Sequence, residues 1–361
     1  MIGRTLGRYM SVRFTRTILA VFLVVFVLIY TVDLVEMLRR AGDNEGATAP
    51  FMAFLSLLRV PAVAEQILPF AVLFGAMMSF VNLTRKLELI VARAAGVSVW
   101  QFLLPPVAVA ALIGIISVTA YNPLSAVLKQ PADQIETRLF GKTGRSEADT
   151  SLWIRQKSAD GQAIIRAERS SDQGTVLGNV TAFVYTPDGN FLERIEAARA
   201  HLQWGFWTME EARIIIPGEE TRISDSYLLA TNLTPEQVTK SFVAPDSVPF
   251  WDLAAVAERT EQAGLDATPY QLRYQSLLAR PLLFIAMVLI AASFSLRFFR
   301  MGGVAKMVSG GVASGFVLYI VTKLIGDLGN AGLLSAGVAA WSPAILGTML
   351  GTLVLLNQED G

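Results

Sequence analysis

Few side chains in this chain of 361 residues have the types and spacing that catalysis requires. Gly141-Lys142-Thr143 matches the end of a phosphate-binding loop, but Glu136 stands where that loop needs its first glycine. The one histidine, His201, has no second histidine with which to share a metal ion, and the chain contains no cysteine. No Gly-x-Ser-x-Gly or His-Glu-x-x-His motif occurs, and Asp33 has no partner group for intramembrane proteolysis. The sequence therefore argues against an enzyme and predicts no catalytic residue, no cofactor and no metal site.

The segment Leu83–Gly96 combines helical spacing with charge. Its apolar residues fall on one stripe of a helix: Leu83, Leu87, Ile90, Val91 and Ala94. Its basic residues lie largely off that stripe: Arg85, Lys86 and Arg93. Arg85 and Glu88 are spaced to pair, and Gly96 can close the helix in a left-handed conformation. Two interpretations fit these residues equally: a helix on the inner membrane surface, or a helix that docks in a groove of a cytoplasmic motor subunit.

Long apolar runs flank this segment. Four of them carry no charge: Ile18–Val32, Gln66–Thr84, Ala94–Leu128 and Leu328–Gln358. A membrane-spanning helix needs roughly 20 apolar residues, and two shorter runs near the C-terminus reach that length if flanking residues join them. We therefore predict six transmembrane helices, at about Thr17–Leu38, Val60–Leu83, Val97–Leu124, Tyr270–Arg297, Lys306–Ile325 and Val338–Leu356. The first is expected to stay uncleaved because no small-x-small site follows it, and Pro123 predicts a break at the outer end of the third.

The distribution of charge orients these spans. Formal net charge is zero, which indicates no nucleic-acid partner. Short basic segments stay in the cytoplasm, and three of them fall on one side of a six-span chain: residues 1–16, 85–93 and 297–306. Residues 129–261 hold fourteen bases and twenty acids and fall on the other side. We therefore predict cytoplasmic N- and C-termini. Three basic residues depart from the charge rule because they lie in the first outer loop: Arg39, Arg40 and Arg59.

The polar stretch between the third and fourth spans has the pattern of an all-β domain. In Asn179–Tyr185, apolar residues 180, 182 and 184 face one way, as in a half-buried strand. Turn signals such as Thr186–Asn190 recur along the stretch, which favours a sandwich, roll or barrel. A short helix, Phe250–Glu261, follows. The predicted domains are 1–128 with spans one to three, 129–248 with the strands, 249–268 with the linker helix, and 269–361 with spans four to six.

Glycines recur four residues apart in the last two spans. Gly311 and Gly315 lie in span five, and Gly347 and Gly351 lie in span six. This spacing allows close helix contact, but glycine is also simply common in membrane helices. The residues alone leave both interpretations open.

Several segments resemble a known family. Thr84–Ser98 is similar to the coupling-helix signature of the lipopolysaccharide export permeases, the LptF/LptG family: a basic pair, then Leu-Glu-Leu, then Arg-Ala-x-Gly-x-Ser. Met1–Tyr9 and Glu65–Gly75 also match, and the resemblance covers essentially the whole chain. Met1–Tyr9 and Asp33–Arg40 are more similar to the LptG type of subunit than to its LptF-type partner.

The resemblance implies a permease subunit of an ATP-binding-cassette transporter that extracts lipopolysaccharide from the inner membrane. The implied fold is an α-helical integral membrane protein with six transmembrane helices and an all-β periplasmic jelly-roll-like domain between helices 3 and 4. The implied partners are a paralogous LptF-type permease, a cytoplasmic LptB-type ATPase dimer, LptC-type and LptA-type bridge proteins, and lipopolysaccharide. An LptF-type subunit, or a membrane scaffold that recruits partners without transport, is the alternative.

The resemblance also implies roles for particular residues. Within a cytoplasmic coupling helix at about 83–95, the ATPase contacts would be Arg85, Lys86, Glu88 and Arg93. Spans one and five would form lateral gates, with Gly311 and Gly315 helping span five to move. Arg39 and Arg40 would bind the phosphates of the lipid, because a guanidinium binds phosphate bidentately. The alternative is an interfacial anchor, and the acidic neighbours Asp33 and Glu36 depart from a simply basic rim.

Overall fold

The structure, a computed structural model, describes residues 4–42, 47–140, 152–158, 161–171, 174–187, 189–234, 244–262, 266–299 and 304–359. The helices are α1 (Arg4–Ala41), α2 (Ala49–Arg85), α3 (Glu88–Ala94), α4 (Val99–Ile116), α5 (Asn122–Phe140), α6 (Phe250–Gln262), α7 (Thr268–Phe299), α8 (Val304–Asn330) and α9 (Ala336–Glu359). The strands are β1 (Leu152–Ser158), β2 (Gly161–Ser171), β3 (Val176–Tyr185), β4 (Phe191–Gln203), β5 (Phe206–Ile215) and β6 (Arg222–Ala230). Gly141-Lys142-Thr143 lies outside the described residues.

Six helical stretches among the described residues are long and apolar enough to cross a membrane. They are Thr5–Ala41, Ala49–Arg85, Val99–Glu136, Thr268–Ser295, Val308–Asn330 and Ala336–Gln358. The six predicted spans are therefore confirmed, and the sheet lies in the chain between the third and the fourth of them. Counted as helices, it lies between α5 and α6.

The first two spans extend further than their apolar runs predicted. α1 begins at Arg4 and α2 at Ala49, where Pro50 occupies the first turn. The N-terminal extension of α2 packs in a small core against the C-terminal end of α1 and against α5, built from Met52 and Leu55 of α2, Met37 and Ala41 of α1, and Ala132 of α5. A search for uncharged apolar runs does not detect these extensions, because their turns contain charged residues. One packed face is nevertheless enough to stabilise each helix.

The third span continues through Pro123, so the predicted break there is wrong. A π-helical turn, Ser117–Tyr121, joins α4 to α5 without interrupting the helix. Proline lacks an N–H, which leaves the carbonyl of Thr119 without its usual helical donor. The indole Nε1–H of Trp251 donates to that carbonyl at 3.3 Å. A freed carbonyl is tolerated in a membrane helix when such a neighbour satisfies it.

The chain divides into two compact units. The helical unit comprises residues Met1–Gly141, Asp246–Trp251 and Gln271–Gly361, and the sheet unit comprises Lys142–Pro245 and Asp252–Tyr270. Helix α5 reaches Phe140, beyond the start at residue 129 that the sequence suggested for the β-domain. The core of the helical unit includes Phe14 of α1, which meets Phe80 of α2 edge to face with ring centroids 4.9 Å apart.

The sheet unit holds one antiparallel sheet with its six strands in chain order, β1-β2-β3-β4-β5-β6. The predicted alternation in β3 is confirmed, because Val180, Ala182 and Val184 are buried. The predicted turn after β3 is also present, with Gly189 at φ 84°. Each strand pairs with the next along the chain, so the sheet is a continuous meander over the strands that the structure describes.

The meander rolls up rather than lying flat. The buried Gln156 of β1 donates from Nε2 to the carbonyl of Ala230 in β6 at 3.1 Å. Its Oε1 accepts from Trp207 Nε1 of β5 at 3.0 Å and from Thr231 Oγ1 at 2.7 Å. In a flat sheet the first and sixth strands would be about 24 Å apart at ~4.8 Å per strand. The hydrogen bonds of this one amide therefore require strong curvature, around a core that includes Trp207 and Ile195.

Candidate functional site

The segment between the second and third spans is a short, sharply bounded helix. α2 ends at Arg85, and Leu87 then takes a left-handed conformation with φ 58° and ψ 9°. A left-handed leucine is uncommon and marks an abrupt change of chain direction. α3 begins directly after it, at Glu88. The prediction of one continuous helix over 83–95 is therefore wrong, because the chain breaks at Lys86 and Leu87.

The C-terminal end of α3 has the closure that the sequence predicted. Gly96 adopts φ 83°, and its N–H donates to the carbonyl of Arg93 at 2.9 Å. The N–H of Val97 donates to the carbonyl of Ala92 at 3.1 Å, which completes a Schellman motif. α4 then begins at a capping box, in which Ser98 and Gln101 exchange hydrogen bonds. α3 is thus fixed at both ends by local geometry.

α3 presents an apolar face outward. Leu89 is buried in the helical core, whereas Leu87, Ile90 and Val91 are exposed, Val91 to 66%. Of the predicted stripe, Ala94 is also exposed and only Leu83 is buried, so the stripe faces outward along α3. The basic residues of the segment are also exposed: Arg85, Lys86 and Arg93.

Glu88 is held by α1. Arg13 NH1 donates to both carboxylate oxygens of Glu88, at 3.0 and 2.8 Å. Tyr9 OH donates to the same oxygens at 3.3 and 3.1 Å, and the guanidinium of Arg13 lies 5.6 Å from the centre of the Tyr9 ring. Arg85 was the partner expected from spacing, and Arg13 takes its place. The carboxylate therefore links α3 to α1 by charge-assisted hydrogen bonds, which are the stronger kind.

At the other end of α1, the arginines expected to bind phosphate are paired with carboxylates. Glu36 accepts from Arg39 at 2.9 Å and from Arg40 at 2.8 Å. Arg40 also reaches Glu136 of α5, at 3.3 Å. Arg59 of α2 lies 3.0 Å from Glu136 and 3.8 Å from Asp33. This group of three arginines and three acids has no net formal charge, although Arg39 remains largely exposed.

The four span glycines pack closely against other helices. A Cβ at Gly311 would overlap Met77 of α2, and a Cβ at Gly315 would overlap Leu73 of α2. Gly347 and Gly351 of α9 are similarly crowded, by Ala286 and Leu318 in the first case and by Leu289 in the second. Between the two interpretations that the sequence left open, these contacts favour specific helix packing.

A further cluster of charges was missed from the sequence. Glu65 of α2 is 2% exposed, and its carboxylate is bound by Arg273 and Arg280 of α7. A weak signal was present, since Arg273 and Arg280 are seven residues apart and so lie on one face of an apolar helix. The sequence alone marks Glu65 only as the first residue of Glu65–Gly75, one of the segments that carry the family resemblance. His201, in contrast, is a partly exposed residue whose ring lies 3.6 Å from Glu210 on the neighbouring strand.

These features define a class: a multi-pass membrane protein with an inserted β unit and a short, outward-facing helix between its second and third spans. A family model for the lipopolysaccharide export system permeases LptF/LptG matches residues 8–357. The chain belongs to this family of inner-membrane permeases. It is 24% identical over 331 residues to the lipopolysaccharide export system permease protein LptG of Escherichia coli K12, and the aligned region covers 90% of each chain. It is 22% identical over 366 residues to LptG of Haemophilus influenzae KW20, covering 98% of this chain and 96% of that one.

Proposed function

We propose that this chain is the LptG-type half of a permease pair that extracts lipopolysaccharide from the inner membrane. An LptF-type paralogue supplies the other half, and an LptB-type ATPase dimer in the cytoplasm drives both. Bridge proteins of the LptC and LptA types receive the lipid. The LptG assignment is supported by the names of the two relatives, which span nearly the whole chain.

The observation that carries the proposal is the geometry of α3. An apolar face of Leu87, Ile90 and Val91 stands exposed between exposed cations, on a helix fixed at both ends. A helix of this kind lays its apolar face into a groove of a partner. Because α3 follows α2 directly and contacts α1 through Glu88, a displacement of α3 would act on both spans.

The charge distribution supports one orientation. α3 and the N-terminal end of α1 meet through Arg13, so both lie on one side of the bundle. Basic residues cluster in both segments, and short basic segments remain cytoplasmic. The sheet unit follows the third span and would then be periplasmic. We propose that this curved sheet, in which Gln156 links the first described strand to the last, forms the jelly-roll-like bridge domain, with its strands in chain order and not in Greek keys.

The low internal burial of two spans supports their role as gates. In the most apolar stretch of α1, only 6% of the residues are buried within the chain, and in that of α8 only 17% are. The corresponding share in the other four spans is 39% to 61%. These are the first and fifth spans. Their exposed faces are free to meet lipid, the paralogous permease or the acyl chains of the cargo. Gly311 and Gly315 then allow α8 to lie close against α2 in the closed gate.

Replacing Val91 with aspartate is expected to weaken binding of the ATPase at least about tenfold, because an unpaired charge in an apolar contact costs ~2 kcal/mol or more. Copurification in mild detergent measures the loss. Ile223→Asp is the matched control, since Ile223 is an exposed apolar residue of the sheet unit, and it should retain the ATPase. Equal ATPase recovery with Val91→Asp, or labelling of Val91→Cys only from the periplasm, would contradict the proposal.

Removing both Arg39 and Arg40 side chains by alanine substitution is expected to weaken crosslinking of the cavity to lipopolysaccharide. Because Glu36 competes with phosphate for both guanidinium groups, Glu36→Gln should instead strengthen the crosslink. Photocrosslinking in reconstituted vesicles measures both variants. If the arginines only anchor α1 at the interface, neither variant will change the yield.

A further inference from the structure

The buried carboxylate of Glu65 is the centre of a polar cluster between three spans. Arg280 NH1 donates to its Oε1 at 2.5 Å, and Arg273 NH2 donates to the same oxygen at 3.3 Å. Asn122 Nδ2 donates at 2.9 Å and Ser125 Oγ at 2.6 Å. Glu65 belongs to α2, the two donors of α5 belong to the third span, and both arginines belong to α7. The cluster therefore joins spans two and three to span four, across a long insertion in the chain.

Further residues extend this cluster, and each additional charged group lies within 4 Å of a group of opposite charge. Arg280 NH1 also lies 3.2 Å from Ser117 Oγ, in the π-helical turn. Asp246 lies 3.4 Å from Arg273 and 3.9 Å from Lys129. Asn122 uses its remaining carbonyl oxygen to accept from the N–H of Phe250 at 2.9 Å. Single π-turns are frequent at functional sites, and this one brings Ser117 to the buried arginine.

The position of the cluster along the helices is the second observation. Glu65 is twenty residues from the end of α2, hence about 30 Å from α3 at 1.5 Å per residue. Arg280 lies a similar distance, about 29 Å, from the end of α7 at Phe299. The hydrocarbon core is about 30 Å thick, so the cluster lies at the far edge of the membrane from α3.

Polar contacts hold helices together in a membrane in a way that apolar contacts do not. Lipid tails are as apolar as leucine, so an apolar helix surface can exchange a protein neighbour for lipid with little change in free energy. A carboxylate–guanidinium pair has no such alternative partner in hydrocarbon. The helices that share Glu65 are thus fixed in register, whereas only 6% of the apolar stretch of α1 and 17% of that of α8 are buried within the chain.

We propose that Glu65 is a positioning residue that pins the second, third and fourth spans into one rigid body at the far side of the membrane from α3. Motion delivered at α3 then reaches that side through α2 without loss, and the gate helices α1 and α8 move against the pinned body. The inference rests on the proposed transport function and adds to it which spans move and which do not.

One experiment separates pinning from folding. Glu65→Gln alone leaves Arg280 without its counter-charge and is expected to lower the thermal unfolding midpoint of the reconstituted complex. Adding Arg280→Met removes the unpaired charge and fills its volume, while the glutamine amide still accepts from Asn122 and Ser125. The double variant should therefore recover the midpoint, because a buried ion pair replaced by well-packed neutral groups is often neutral in stability. Ser79→Ala, at a buried hydroxyl of α2 that has no hydrogen-bond partner among the described residues, is the matched control.

The expected result is that the double variant hydrolyses ATP but releases roughly 5- to 150-fold less lipopolysaccharide per ATP, the range of a typical coupling free energy. Wild-type release per ATP from a stable double variant would overturn the proposal, because the ion pair would then contribute to stability alone and not to coupling. Absence of ATP-driven release from the wild-type complex would instead defeat the proposed function.

A second measurement needs no change in the cluster. The chain contains no cysteine, so spin labels can be placed at chosen pairs of exposed positions. Val63 with Leu278 reports the distance between α2 and α7, and Val63 with Leu324 reports that between α2 and α8. Between the nucleotide-free and vanadate-trapped complex, the first distance is expected to stay constant and the second to change. A change in the first distance as large as that in the second would also overturn the proposal.

Discussion

Reversing the charge of Glu88 to arginine is expected to abolish ATP-driven release of lipopolysaccharide while ATP hydrolysis continues. The substitution places a second cation against Arg13, where two hydrogen bonds of 3.0 and 2.8 Å now join α1 to α3. The loss should lie near the upper end of the roughly 5- to 150-fold range of coupling between sites. Release and hydrolysis are measured together in vesicles that hold the full complex.

Two further variants interpret this result. Glu220→Arg reverses an exposed acid in the turn before β6 and should leave release unchanged. Glu88→Arg combined with Arg13→Glu restores the link between α1 and α3 with opposite polarity. Recovery in the swapped variant would assign the role of Glu88 to α1, and continued loss would assign it to the ATPase. Normal release from Glu88→Arg alone would count against a coupling role altogether and favour a scaffold.

Alanine substitutions at three glycines are expected to rank by what the new methyl group meets. At Gly75 it would lie 2.6 Å from the backbone Cα of Ile18, so α1 must move away from α2. At Gly315 it would meet the end of the Leu73 side chain, which can yield in part. At Gly326 it meets no atom of the described residues within 4 Å. Overpacking typically costs about 1–3 kcal/mol, and the Gly75 variant should reach the top of that range or exceed it.

Thermal unfolding in detergent and ATP-driven release measure the ranking. Gly326→Ala is the control within the same span as Gly315 and should behave as wild type. Leu73→Ala should relieve Gly315→Ala, because it removes the atoms that the new methyl group meets. It should not relieve Gly75→Ala. Equal midpoints for all three single variants would show that the spans adjust freely and that glycine is not required for their packing.

The spans and strands could be predicted because their signals are local. Ala94–Leu128 reads as a span from its own composition, and the alternation in β3 gives the burial of Val180, Ala182 and Val184. The turn at Gly96 follows from one residue type that tolerates a positive φ. None of these inferences needs knowledge of a distant part of the chain.

The break before α3 could not be predicted in this way. Helical spacing placed Leu83, Leu87 and Val91 on one stripe, but Leu87 takes a left-handed conformation that a leucine seldom adopts. The packing of Leu89 into the core compensates for that strain, and the phase of the helix changes with it. Where the helix breaks is therefore decided by tertiary contacts and not by periodicity.

The ion pairs also required the structure. Glu65 and Arg280 are 215 positions apart, and Arg13 and Glu88 are 75 apart. Spacing within a helix suggests partners three or four residues away, which is why the sequence predicts Arg85 as the partner of Glu88. Glu36 lies at that spacing from Arg39 and Arg40 and pairs with both of them. The spacing rule therefore gives the right partners for Glu36 and the wrong one for Glu88.

The bare outer surface of α1 has an energetic consequence. With so little of that helix covered by its own chain, its outer neighbours are apolar groups: the tails of bulk phospholipid, the side chains of a second subunit or the acyl chains of a passenger molecule. Exchanging one such neighbour for another is nearly isoenergetic. A helix of this kind changes its neighbours at little cost in free energy. The free energy of ATP hydrolysis therefore remains available for drawing fatty chains out of the leaflet.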